Sequence, residues 1–192
     1  MKTHPLLLVV SLVCPSFVVA QSAPQQPLSA HAWRLSQQTN TADAYSYARF
    51  TLNGTFLSGS HDGAVNRPAL VVNCIPGDQS PRGRPTFLTG NLIVGSPLRI
   101  VYVEPEEIRG ISFFPKVAVR YRTDDKKKDV DEQWSPRPDN LSASIPKHSL
   151  KEMLRAHSVT ITAEDNQGKQ VAMRFDMPDP TAVEQGCNVD EP

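Results

Sequence analysis

Three arginines, Arg120, Arg122 and Arg174, sit at alternate positions in two segments that read as β-strands, Val117-Ala-Val-Arg-Tyr-Arg122 and Val171-Ala-Met-Arg-Phe175. Alternation sends them to the face opposite the valines and aromatics. A stripe of guanidinium groups can hold a carboxylate or phosphate through paired N–H donors. The same stripe is also what an ordinary solvated sheet face looks like. Trp134, in Asp131-Glu-Gln-Trp134-Ser135-Pro136, carries an indole that either stacks on a ligand at the rim of that face or packs inward. Arg120, Arg122, Arg174 and Trp134 are the candidate binding residues.

Other chemistry-bearing groups form no recognisable constellation. His31, His61, His148 and His157 fall in neither an H-E-x-x-H nor an H-x-H pattern, so no metal site is expected. His61-Asp62-Gly63 reads as a polar loop tip. The G-x-S-x-G elbow and the glycine-rich phosphate loops are absent. Glu104-Pro-Glu-Glu107 is one acidic cluster; Asp124, Asp125, Asp129 and Asp131, around Lys126-Lys-Lys128, are another. Paired carboxylates hydrolyse glycosides when held about 5–9.5 Å apart with one pKa raised. These lie in hydrophilic connections, and they lack the order of a calcium loop. No catalytic residue and no cofactor is assigned. Asn53-Gly-Thr55 and Asn140-Leu-Ser142 match the glycosylation sequon, which matters only in a eukaryotic secretory pathway.

The first 20 residues read as a cleaved signal peptide. Lys2 begins it, Leu6-Leu-Leu-Val-Val-Ser-Leu-Val13 is a short apolar run, and Val18-Val-Ala20 precedes a cut at Gln21. The run is too short to span a bilayer, which takes about 20 apolar residues. Cys14 is a weak lipobox, since Val13 precedes it and Pro15 follows. Export leaves Cys74 and Cys187, most simply paired as one disulfide in an oxidising compartment. The expected location is periplasmic or secreted.

The elements that position these residues are mostly strands. Residues 21–29 are a flexible lead-in, 30–187 a single domain and 188–192 a tail. Ala48, Phe50 and Leu52 alternate with Tyr47, Arg49 and Thr51, and Asn53-Gly54 reads as a turn; this strand is a candidate edge for pairing with another chain. Leu70, Val72 and Cys74 share a core-facing side. Leu92–Val94 and Leu98–Val103, parted by Gly95-Ser96-Pro97, read as a hairpin buried on both faces. Leu141, Ala143 and Ile145 alternate, as do Val159, Ile161 and Ala163; Asp165-Asn-Gln-Gly168 then turns the chain into Val171, Met173 and Phe175. Ser149-Leu-Lys-Glu152 reads as a capping box opening a short helix with a Leu150, Met153, Leu154 stripe. Asp179-Pro180 opens a second one, ending at Gly186 and delivering Cys187 to Cys74. The expected fold is mainly β: an antiparallel β-sandwich with one or two short helices.

Composition bounds the function. With 192 residues, 20 basic and 20 acidic side chains, the chain lacks the basic footprint of a nucleic-acid binder. Removing the leader leaves a net charge of −1.

The order of a strand ending in Cys74, the Val117-Ala-Val-Arg-Tyr-Arg-Thr-Asp124 strand, Trp134-Ser135, the Ser149 to Leu154 segment, Val159-Thr-Ile-Thr, Phe175-Asp176 and a terminal short helix ending in Cys187 resembles the VasI/TagO-type accessory proteins associated with bacterial type VI secretion. The resemblance covers roughly residues 65–187. The Pro/Gly-rich stretch Pro76 to Pro97 and the Pro136-Arg-Pro138 run depart from that pattern. The resemblance implies an exported, disulfide-bonded β-sandwich with an envelope accessory role and no catalytic residues. The expected function is therefore a non-enzymatic binding module of the bacterial cell envelope, whose partner is an envelope protein or peptidoglycan. The alternative is a secreted hydrolase or inhibitor acting on cell-wall glycan.

Overall fold

The structure, a computed structural model, describes residues 32–40, 45–59, 67–75, 77, 87–103 and 113–187. The leader, lead-in, tail, His61-Asp62 pair and Glu104–Glu107 cluster lie outside the described residues. In chain order the elements are β1 (Arg34–Asn40), β2 (Tyr45–Asn53), β3 (Thr55–Ser58), β4 (Ala69–Ile75), β5 (Phe87–Ile93), β6 (Val101–Val103), β7 (Phe114–Thr123), β8 (Val130–Pro136), β9 (Ser142–Ile145), α1 (Lys147–Arg155), β10 (Ser158–Glu164), β11 (Gln170–Asp176) and α2 (Thr181–Cys187). The fold is mainly β, and every strand pairing is antiparallel.

The strands form one hydrogen-bonded path, β1-β2-β4-β5-β9-β8-β7-β10-β11-β3, with β6 beside β7. Period-two alternation sets its two faces. Val117, Val119 and Tyr121 of β7, Val159, Ile161 and Ala163 of β10, and Val171, Met173 and Phe175 of β11 are buried. They join Phe50, Leu52, Leu70, Val72 and Leu92 in a single core. Each fully buried large apolar side chain of this kind contributes about 1.5–3 kcal/mol. A strand slip of one residue would turn that whole set to solvent, which is what fixes the register.

The path turns back on itself at two corners. At one, β8 pairs with β7 through Val130–Trp134 and with β9 through Ser135 and Pro136. At the other, β2 runs through Gly54 into β3, which pairs with β11 at the far end of the path. Asn53-Gly54 is thus a crossing between the two arms and not a hairpin turn. The glycine is required by close approach: a Cβ there would lie 2.5 Å from the Phe175 ring and 2.7 Å from the Arg174 carbonyl oxygen.

Several sequence expectations are corrected. Leu92–Val94 and Leu98–Val103 do not pair with each other. β5 pairs with β4 and β9, and β6 with β7, leaving Tyr102 exposed. Gly95, at φ 79°, sends the chain from one arm to the other instead of folding it back. The Pro76 to Pro97 stretch contains the regular strand β5. β2 is no edge, since β1 and β4 flank it. The capping box at Ser149 does not form: α1 starts two residues earlier, behind Pro146, with no side-chain cap. Leu150, Met153 and Leu154 are nevertheless buried, and a Cβ at Gly90 of β5 would lie 2.9 Å from a Leu150 methyl.

α2 follows its sequence signals more closely. Asp179 accepts hydrogen bonds from the backbone N–H and the hydroxyl of Thr181, which hold its carboxyl below the usual range, the hydroxyl more strongly. The helix includes Gly186 instead of stopping there, and close approach explains the glycine: a Cβ at that position would run into the Phe50 ring. Cys74 and Cys187 lie at disulfide distance, with Cα atoms 5.1 Å apart and a sequence separation of 113. No helix among the described residues is long and apolar enough to cross a membrane.

Candidate functional site

Arg120, Arg122 and Arg174 share the outward face of the β8-β7-β10-β11 arm. Arg122 on β7 and Arg174 on β11 both lie opposite Thr160 of the intervening β10, so their backbones stand about 10 Å apart, two strand spacings. Arg120 lies between Asp131 of β8 and Thr162 of β10. Small side chains, Ala118, Thr160, Thr162 and Ala172, make the floor. A groove of about 550 Å³ runs over Ala118, Arg120, Asp131, Gln133, Thr162 and Gln170.

Each of these arginines is matched by a carboxylate. Arg120 donates to Asp131 at 2.8 Å and Arg174 to Asp176 at 3.0 Å, while Arg122 faces Asp129 at 3.7 Å. The hydrogen bond with Asp131 raises the Arg120 pKa, with the charges of Asp131 and Asp129 adding to it. All three pairs are exposed, and exposed pairs are weak because water screens the charges. An incoming carboxylate could therefore replace an internal one at small cost. At the end of the groove Glu164 accepts from Arg99 and from Gln170, both at 2.8 Å.

Trp134 is not part of this face. It is fully buried, and its ring packs at a tilt against Tyr121, centroids 6.4 Å apart. Its inward position depends on Glu132, two residues earlier on the same side of β8. Glu132 Oε2 accepts from the Trp134 indole N–H at 2.7 Å and from the Ser149 hydroxyl at 2.7 Å; Oε1 lies 3.0 Å from His148 Nε2 and 3.4 Å from the Tyr121 hydroxyl. Ser149, fully buried in α1, thus spends its hydroxyl on Glu132 and not on a cap. Burial pushes the Glu132 carboxyl up, but the hydrogen bonds from Ser149, Trp134 and His148, with the charge of His148, outweigh it and the net shift is down.

A second carboxylate stands across the Tyr121 hydroxyl. Glu152 Oε2 is 3.4 Å from it, and Oε1 reaches Thr123 at 3.5 Å and Lys126 at 2.6 Å. Desolvation, with both glutamates adding, pushes the Tyr121 hydroxyl up to about 12, although Ser149 opposes it. This cluster fastens α1 to β7 and β8. Its chemistry is that of a latch: the Glu132 lone pairs are engaged, and a general acid needs its pKa moved the other way. Sequence reading missed the cluster because its members come from three elements. The one local signal was the i, i+2 pairing of Glu132 with Trp134.

Of the other acidic residues, Asp165 is buried in the β10–β11 turn, accepting the backbone N–H groups of Gln167 and Lys169 at 2.9 and 2.8 Å, whereas Asp124 is exposed. Asp124 accepts the backbone N–H groups of Ser158 and His157 at 3.1 and 2.9 Å, and these, Ser158 first, lower its pKa. Among the described residues no group of three or more His, Cys, Asp or Glu side chains is placed to hold a metal ion. Comparison of the chain with family models, with curated proteins and with solved structures gives no match.

Proposed function

We propose that the protein is an exported, non-enzymatic binding module of the bacterial cell envelope, associated with a secretion system, and that it engages an envelope protein or peptidoglycan through the outward face of β7, β10 and β11. The observation that carries this reading is the arrangement of Arg120, Arg122 and Arg174 over a floor of small residues beside an open groove. Their weak, exposed ion pairs keep the face soluble while leaving its guanidinium groups exchangeable. Location in the envelope is supported by the leader-like first 20 residues and the Cys74–Cys187 pair. The alternative, hydrolysis of cell-wall glycan, calls for a carboxyl held protonated; among the described residues Glu132 is shifted downward, and the buried Asp165 is engaged by the backbone N–H groups of Gln167 and Lys169.

The test is capture from an envelope extract with intact peptidoglycan, using wild type and an Arg120→Glu/Arg122→Glu variant in parallel. Wild type retains a specific protein or glycan; the variant loses it with an unchanged melting curve. Equal capture by the variant would rule out this face, and release of soluble muropeptides would establish the enzymatic alternative.

A further inference from the structure

A second polar site lies on the other arm of the sheet, away from the arginine face. β2, β4 and β5 turn Tyr47, Arg49, Asn73 and Asn91 outward, opposite in parity to Phe50, Leu70, Val72 and Leu92. Over them, the β8–β9 connection brings Arg137, whose N–H donates to the Ser142 carbonyl at 2.9 Å. The result is a pocket of about 200 Å³ lined by these residues with Val71, Ile93, Asp139 and Ser142. Val71 has outward parity and is still only 2% exposed, so the floor is screened from solvent.

The contents of this pocket differ from those of the arginine face. Among the described residues no carboxylate forms an ion pair with Arg49 or Arg137. Asp139, the one acid in the lining, is already committed: its Oδ1 accepts the N–H groups of Leu141 and Ser142 at 3.0 and 3.1 Å and the Ser142 hydroxyl at 2.9 Å. The two arginines thus leave a local positive excess. The asparagines are held in place by cross-strand bonds, Asn73 donating to Thr89 Oγ1 at 3.3 Å and Asn91 accepting from Ser144 at 3.4 Å. That use of Asn73 leaves its Oδ1 buried with no hydrogen-bond partner. A buried acceptor without a donor is unusual in a folded protein, and Asn73 lines this pocket together with Arg49, its cross-strand neighbour, and Arg137.

We propose that this pocket binds a small oxyanion that carries a hydrogen-bond donor on a neighbouring atom, the chemistry of an α-hydroxy or α-amino carboxylate or of a hydroxylated phosphate ester. Arg49 and Arg137 take the oxyanion through charge-assisted N–H donors, and Asn73 Oδ1 accepts the neighbouring O–H or N–H. The volume is below the roughly 300–1,000 Å³ of sites for drug-sized ligands, so the pocket takes a terminal group or a very small molecule. The inference is independent of the arginine face and stands or falls separately from it.

The experiment is an amide NMR titration of the ¹⁵N-labelled full chain with glycolate, acetate and inorganic phosphate. Glycolate is expected to shift the amides of Arg49, Asn73, Asn91 and Ser142. Acetate, which lacks the hydroxyl for Asn73, binds about tenfold more weakly. Arg49→Gln or Arg137→Gln alone weakens glycolate by about ten- to a hundredfold, as expected for a charge-assisted contact, and the pair abolishes it. Arg49→Lys, which keeps the charge, restores part of the affinity, and Arg120→Gln changes nothing. Phosphate binding ahead of both carboxylates would identify the phosphate form of the ligand at the same site. Absence of shifts at these amides with all three probes, or shifts that survive Arg49→Gln/Arg137→Gln, would overturn the proposal; equal affinity for acetate and glycolate would overturn the role of Asn73.

Discussion

The indole N–H of Trp134 donates to Oε2 of Glu132 at 2.7 Å, tying two residues of the same strand that point to the same side. A carboxylate this close to the core is stabilised by what it receives, and it receives the only acceptor-seeking groups of Trp134 and Ser149, both fully buried. Glu132→Ala leaves both donors without an acceptor. At about 1–3 kcal/mol for each unsatisfied buried group, the variant loses about 2–6 kcal/mol. Urea unfolding followed by Trp fluorescence measures it; a loss below 0.5 kcal/mol, on the scale of an exposed surface substitution, would show that Glu132 is not the fastening point of α1.

The same cluster gives a pH dependence at both ends of the scale. The folded Glu132 carboxyl titrates below its ordinary range, so its contribution is complete above the unfolded value of about 4.3 and is lost as pH falls through the lower folded value. His148 of α1 and Tyr121 of β7 face this carboxylate, Glu152 stands on the Tyr121 hydroxyl, and Lys126 pairs with Glu152. Tyr121 has the opposite sign: its folded pKa of about 12 exceeds the unfolded value near 10, so stability is complete below about pH 10 and falls as pH rises toward 12. Urea midpoints across pH 2–12 are expected to fall at both ends, with Glu132→Gln flattening the acid limb and Tyr121→Phe the alkaline one.

Cys74 in β4 and Cys187 in α2 close a loop of 113 residues. In the chain-entropy account a bridge over such a span contributes at most about 4–5 kcal/mol. Cys74→Ser/Cys187→Ser is expected to lower the midpoint of denaturation by a corresponding amount, and a reductant is expected to shift wild type but not the variant. A reductant-insensitive wild type would mean that the pair is not bridged.

Gly54 gives the sharpest steric test. The atom nearest a new Cβ after the Phe175 ring is a backbone oxygen, that of Arg174, which cannot rotate away. Gly54→Ala is expected to cost about 1–3 kcal/mol, the range for overpacking a filled site. Gly168→Ala meets no close atom, only Arg99 Nη1 at 3.9 Å, but has φ 79°, so its cost is conformational and it isolates the two effects.

Much of the sheet was legible because half-buried strands announce themselves by alternation: β2, β7, β10 and β11 all bury the parity that the sequence marks. The Asp179 cap and the cysteine pair were legible for similarly local reasons. Partner choice was not. Leu98–Val103 looks like a mate for Leu92–Val94 on proximity and apolarity, yet Gly95 redirects it across the fold. The face taken by Trp134 was ambiguous until Glu132 was seen beneath it. Ser149 and Glu152 have capping-box spacing, but Pro146 starts the helix earlier and both side chains answer to the sheet. The Arg49–Arg137 pocket draws on four elements, and no spacing along the chain encodes it.

The crossing at Gly54 also sets when the molecule can become itself. Among the described residues β3 pairs only with β11, more than 110 residues later, and β2 and β4 are covered by α2 at the end of the described chain. An N-terminal fragment emerging during synthesis therefore has no complete core to settle into, and its early strands must wait for the last turn of helix.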